Sequence, residues 1–206
     1  MMLSPTVYLV DDDAAVARAI ASLASLMQLR VLPFASAESF LTLKDEELQH
    51  EGCLILDIRL PGMSGLDLLT VLRDRKCELP VIIISGHADV PLAVEAMCRG
   101  AMTVLEKPFG LETIMHHIRQ ALELDRKRRT QLQQRNSARE RLNNLTPREH
   151  EVLTLIPQGL TNKEIAAQLH LTLRAIEDRR ARLMRRLGVR SVAELLLLVQ
   201  QADAAK

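Results

Sequence analysis

Short apolar runs, each ending in a polar residue, alternate through the first half of the chain with stretches whose apolar residues recur every three or four positions. Residues 6–10 are apolar and β-branched, and Asp11, Asp12 and Asp13 follow. Val16, Ile20, Leu23, Leu26 and Met27 then keep helical spacing. Residues 30–33 read as a short strand and 38–48 as a helix. Cys53, Leu54, Ile55 and Leu56 form a third strand that ends in Asp57, with Pro61, Gly62 and Gly65 marking the loop beyond it. Leu66, Leu69 and Leu72 mark a helix. Residues 80–84 are a fully apolar strand that runs into Ser85-Gly86-His87. Residues 90–98 form a short helix stopped by Gly100, and residues 102–106 a fifth strand that meets Lys107-Pro108. Strands alternating with helices predict right-handed crossovers. The fold class is therefore α/β, a five-stranded parallel doubly wound sheet with helices on both faces.

The pattern changes at Leu111. Ile114, Ile118 and Leu122 keep helical spacing, and the helix continues through a charged stretch that no Pro or Gly interrupts before residue 147. Such composition predicts a helical connector, not a flexible tether. Thr146-Pro147-Arg148-Glu149 starts a new unit, with Thr146 as N-cap, Pro147 at the first helical position and Glu149 closing a capping box. Four short helices follow, at about 147–157, 162–169, 173–187 and 191–202. The expected organisation is a first domain at 1–122, a helical linker at 123–143 and an all-α four-helix domain at 144–206.

Charge sharpens this division. The chain carries 27 Lys and Arg against 26 Asp and Glu, a net of +1. Residues 1–124 hold 10 basic and 17 acidic side chains (10 − 17 = −7), and residues 125–206 hold 17 and 9 (17 − 9 = +8). A basic second part behind an acidic first one points to nucleic acid. Three widely spaced cysteines read as small hydrophobes in a reduced compartment. With no charged-then-apolar leader and no apolar run near membrane length, the expectation is a cytoplasmic protein without membrane association.

Four strand ends carry polar groups: Asp11 and Asp12 after the first, Asp57 at the third, Ser85 after the fourth, Lys107 after the fifth. In a parallel sheet these ends share one edge, where such folds keep their ligand sites. Three carboxylates brought together need a cation, and an oxygen-only cluster suits Mg²⁺. Lys107 and the Ser85 hydroxyl are donors suited to a phosphoryl group, and Asp57, lying centrally, is the best nucleophile.

The ordered set of the acidic pair, Asp-x-Arg-x-Pro-x-Met-Ser-Gly from Asp57 to Gly65, Ser85-Gly86-His87-Ala88-Asp89-Val90-Pro91, Gly100-Ala101 and Lys107-Pro108-Phe109 resembles the receiver domain of two-component response regulators. By that resemblance Asp57 accepts phosphate from a sensor histidine kinase. Asp11 and Asp12 hold Mg²⁺ together with Asp57 and the backbone carbonyl of Arg59. Ser85 and Lys107 bind the phosphoryl oxygens, and the Lys107-Pro108 bond is cis. One switch position departs from the family: an aromatic residue usually stands where this chain has Val104.

Residues 145–203 are similar to the LuxR-type helix-turn-helix, and the whole layout resembles FixJ-type regulators. The resemblance rests on Leu145-Thr146-Pro147-Arg148-Glu149, Gly159-Leu160-Thr161-Asn162-Lys163-Glu164-Ile165-Ala166, Ile176-Glu177 and Leu183-Met184-Arg185-Arg186-Leu187-Gly188. Thr172 is the expected cap of the recognition helix, with Ile176, Leu183 and Leu187 on its core face and Arg174, Asp178, Arg182 and Arg185 outward. By position in the family, Glu177, Asp178 and Ala181 face bases. Lys163, Arg174, Arg179, Arg182 and Arg186 are phosphate candidates. The usual Thr-Val and His of this helix appear here as Ala175-Ile176 and Arg179.

The resemblance implies a transcription factor, not an enzyme. Phosphorylation at Asp57 promotes a receiver homodimer, which binds double-stranded DNA and recruits RNA polymerase. Two rivals are an Asp-nucleophile phosphatase of the haloacid dehalogenase type and a constitutive DNA-binding protein. The first needs a second carboxylate two residues after the nucleophile, where Arg59 stands. The second is favoured by Val104.

Overall fold

The computed structural model describes residues 4–44 and 46–203, and of Gln49 only the backbone. The chain divides between Arg129 and Thr130 into two compact units.

The first unit is built on strands β1 (Thr6–Val10), β2 (Arg30–Phe34), β3 (Gly52–Asp57), β4 (Val81–Ser85) and β5 (Thr103–Glu106). They form one parallel sheet in the order β2-β1-β3-β4-β5. Alternation along the strands sorts the core into two faces. Tyr8, Val10, Leu54, Leu56, Val81 and Ile83 pack with α2 (Ala37–Leu41), α3 (Gly65–Asp74) and α4 (Val90–Cys98). Val7, Leu9, Cys53, Ile55, Ile82 and Ile84 pack with α1 (Ala14–Leu26) and the start of α5 (Leu111–Asn143). Aliphatic side chains supply almost all of this core. Its few aromatics meet edge-on around Phe40, with Tyr8 and Phe34 rings at 6.0 and 5.4 Å.

The helix expected at 38–48 is shorter. α2 ends at Leu41, and a 3₁₀ turn, Glu47–Gln49, follows a break. The Thr42 hydroxyl bonds back to the Ser39 carbonyl, and the Glu47 carboxylate accepts from the Lys44 amide to start the new turn. The break lets Leu43 and Leu48 both reach the core, so packing overrides the helical propensity of the segment.

The second unit takes the end of α5, then α6 (Pro147–Leu155), α7 (Asn162–Gln168), α8 (Leu173–Leu187) and α9 (Val192–Asp203). Its core is aliphatic, around Val152, Ile165, Ile176, Leu183, Leu187 and Leu195, with Ala138 and Leu142 contributed by α5. Thr146, Thr161 and Thr172 cap α6, α7 and α8, and Glu149 and Glu164 complete capping boxes in the first two. Gly188, at φ 68°, ends α8 in the left-handed conformation that glycine adopts without strain.

Candidate functional site

The strand order reverses between β1 and β3, and the register there aligns Val10 with Leu56. Asp11 therefore emerges beside Asp57 at the C-terminal edge, at the topological switch point. Asp11 and Asp57 are buried and Asp12 is exposed, so the cluster has a floor and an open side. One carboxylate oxygen from each of the three lies within 4.8 Å of the other two. The Lys107 ammonium closes the group, donating to Asp11 Oδ2 at 2.8 Å and to Asp57 Oδ2 at 2.6 Å. Burial disfavours its charge. The hydrogen bonds and charges of Asp11 and Asp57 outweigh that cost and hold the Lys107 pKa above the ordinary lysine value.

Three carboxylates face one ammonium, which leaves two negative charges uncompensated. All the converging ligand atoms are oxygens. The donor set fits a hard divalent cation held by a few carboxylates, with further positions left for water or substrate. Backbone amides orient the carboxylates: Asp13 N donates to Asp11 Oδ1 at 2.8 Å and Arg59 N to Asp57 Oδ1 at 2.9 Å. The Arg59 side chain is exposed. Glu38 pins the loop beyond, accepting the Met63 amide at 2.8 Å. Hydrogen bonds from its own backbone and from that amide lower its pKa.

Ser85 is fully buried at the end of β4. Its hydroxyl donates to the His87 carbonyl at 2.8 Å and accepts the His87 amide at 3.3 Å, so it is engaged with the β4–α4 loop. Val104, opposite Ile83 in β5, is half-buried against the α2–α3–α4 face. The Lys107-Pro108 bond is cis. Cys53 is buried in β3, and burial, with Asp125 nearby, pushes its thiol up to about 12, so it stays protonated.

In the second unit, the arginines of α8 fall into two sets. Arg174, Arg182 and Arg185 are exposed and lie on one stripe with Asp178 and Ala181; Glu177 and, on α7, Lys163 are also exposed. The remaining arginines tie α8 to its neighbours. Arg180 donates to Asn162 of α7 at 2.7 Å, Arg186 to Glu149 of α6 at 2.8 Å, and Arg179 stands 3.7 Å from Glu151. Glu149 is kept ionised below the usual carboxylate range, chiefly by the Thr146 amide and hydroxyl, with Arg186 adding to them. Arg179 and Arg186, phosphate candidates by position in the family, thus each have an acidic partner within the unit, which the family position does not reveal. Helical phase was the available signal, because both residues lie beside the core stripe of Ile176 and Leu183 and not on the outward stripe.

Both units match known protein families. Residues 7–119 match the response regulator receiver domain, and residues 143–199 match the bacterial regulatory proteins of the luxR family. The response regulator protein TmoT of Ectopseudomonas mendocina is 37% identical over 195 residues, covering 95% of this chain and 88% of that one. The transcriptional regulatory protein FixJ of Rhizobium meliloti (strain 1021) is 37% identical over 195 residues, covering 95% of each chain. A solved low-resolution structure of the response regulator StyR superposes with a TM-score of 0.87 at 36% identity, covering 97% of this chain and 100% of that one. Fold and site define a response regulator with a receiver and a LuxR-type DNA-binding domain. Within that class, the chain belongs to the FixJ-type transcriptional regulators. Among the described residues no helix is long and apolar enough to cross a membrane.

Proposed function

We propose that Asp57 is the phosphoacceptor of this regulator, and that a sensor histidine kinase supplies the phosphoryl group. The observation that carries the reading is the ammonium of Lys107 bonded to both Asp11 and Asp57, with Asp12 completing the carboxylate cluster. An Asp57 oxygen forms the new bond to phosphorus as the bond from phosphorus to the donor imidazole breaks. Lys107 neutralises charge on the transferring group, and the Ser85 hydroxyl leaves His87 to donate to a phosphoryl oxygen. Asp11, Asp12, Asp57 and the Arg59 carbonyl would hold Mg²⁺, which when bound would supply Lewis-acid stabilisation of that charge.

Phosphorylation then promotes a homodimer, and two copies of α8 enter successive major grooves of a pseudo-palindromic site and recruit RNA polymerase. Glu177, Asp178 and Ala181 face base edges, while Arg174, Arg182 and Lys163 contact phosphates. The test is labelling by a small phosphodonor with Mg²⁺. Wild type should take up acid-labile phosphate, while Asp57→Asn takes up none and Asp12→Ala very little. Undiminished labelling of Asp57→Asn would place the nucleophile elsewhere.

A further inference from the structure

A second set of contacts leads from Asp57 to α4 without passing through Ser85. It begins at Gly65, the first residue of α3. A Cβ on Gly65 would lie 2.2 Å from the Asp57 carbonyl oxygen and 2.9 Å from the Ile58 Cα. The Gly65 amide also donates to the Ile58 carbonyl at 3.0 Å. The first turn of α3 thus rests on the backbone of Asp57 itself, at a distance only glycine permits.

One residue further on, the Leu66 carbonyl accepts a hydrogen bond from Arg99 Nη1 at 3.1 Å. The same nitrogen donates to the Thr70 hydroxyl at 3.1 Å and lies 3.8 Å from the Asp67 carboxylate. Nη2 of the same guanidinium bonds Glu95, one turn back on α4. Arg99 is the C-cap of α4, so its fork ties the end of α4 to two turns of α3.

Elsewhere α4 meets β5 with few buried side chains. Ala96 is its only buried residue, and Leu92 is partly buried against the core. Val90, Val94 and Met97 are 77%, 56% and 51% exposed. A helix with few buried apolar contacts opens at lower free energy than the core around it. A charge-assisted fork is then a large share of what fixes its position.

We propose that Arg99 is a latch between α3 and α4, which holds α4 in its unphosphorylated position and couples its release to the backbone of Asp57. The proposal rests on the reading of Asp57 as phosphoacceptor. A phosphoryl group adds bulk and charge at the end of β3, where the first turn of α3 has no clearance. Displacement of Gly65 and Leu66 draws the Leu66 carbonyl away from Arg99, and α4 loses the contact. The latch differs between the two conformers, which is what an equilibrium shift requires. This route needs no aromatic ring on β5, in keeping with Val104.

The first measurement is amide hydrogen exchange of the full phosphate-free chain. Loss of the two bonds from Arg99 to α3 in Arg99→Met should speed exchange in α4 about tenfold. Thr70→Val, which leaves α4 untouched, should act in the same direction and less. Glu95→Gln should have little effect, because it keeps the α3 contacts. The second measurement is sedimentation against graded phosphodonor, where Arg99→Met should dimerise at about tenfold lower donor concentration. Unchanged α4 exchange in Arg99→Met overturns the latch. Faster exchange with an unmoved dimerisation midpoint overturns the coupling. Wild type that takes up no donor phosphate, or as much as Asp57→Asn, overturns the reading of Asp57 instead, and the exchange arm alone then decides whether Arg99 holds α4.

Discussion

At the scale of single residues, the proposed phosphoryl site would use the same side chains for stability and for chemistry. Lys107 offsets the repulsion between Asp11 and Asp57, and the proposed phosphoryl group would have to recruit that same ammonium. Ser85 is likewise committed to the His87 backbone, and under the same proposal it would leave that carbonyl for a phosphoryl oxygen. Val104 packs against the apolar core, and its β-branch leaves little rotamer freedom. Ser85→Ala should therefore weaken phosphodonor-driven dimerisation strongly, whereas Val104→Ala should change it only within a few-fold; sedimentation of each variant with and without donor measures both. The reverse ranking would place the coupling in β5. Asp11, Asp12, Asp57, Ser85 and Lys107 could be found in the sequence because strand ends of a parallel sheet converge on one edge, so chain position alone predicts their neighbourhood. The bonds of Glu38 to the Met63 amide and of Arg99 to Leu66 could not be found that way. They join elements whose separation depends on packing, and no periodicity encodes it.

At the scale of elements, α8 shows how one helix divides its charges. Its core stripe of Ile176, Leu183 and Leu187 is fully buried. Arg186 flanks that stripe and pairs with Glu149, whose own bonds close the cap of α6. Arg182 lies outward with no ion pair or hydrogen bond among the described residues. The two arginines should then answer differently to salt. For DNA binding by the phosphorylated chain, Arg182→Ala should flatten the slope of log affinity against log salt by about one unit. Arg186→Ala should change the slope less and instead lower the thermal midpoint of the second unit, at a cost of about 1 kcal/mol for a half-exposed partner. Equal slope changes would make Arg186 a phosphate contact after all. The starts of α6 and α8 were legible because the Thr146 and Thr172 caps are local signals. The end of α2 was not, because Leu43 and Leu48 are drawn to a core that local sequence does not reveal.

At the scale of the whole molecule, α5 belongs in turn to both units, and its middle shows where the receiver stops. Ile114, Ile118 and Leu122 form an apolar stripe against the sheet, and the next position on that stripe is Asp125. An acid on an apolar stripe was the signal available in the sequence for what the fold reveals. Asp125 is 3% exposed and accepts the amide of Gly52, the first residue of β3, at 2.9 Å. Arg129 bonds Asp125 at 2.6 Å and the Leu48 carbonyl at 2.9 Å. Arg126 forks onto Glu51, and Arg128 reaches the Glu78 carbonyl at 2.8 Å. Residues 125–129 are thereby fastened to the sheet edge opposite Asp57 and belong to the first unit. Asp125→Ala should leave the buried Gly52 amide without its acceptor and take the Asp125 carboxylate from Arg129. The expected cost is about 1–3 kcal/mol in the unfolding of the first unit, read as an earlier first transition in calorimetry of the full chain. Lys127→Ala, which removes only an exposed pair with Glu123, should change that transition by less than about 0.5 kcal/mol. Equal effects of the two substitutions would mean that the stretch is an exposed helix that merely passes the receiver. A large effect of Asp125→Ala alone would make residues 125–129 a working part of it.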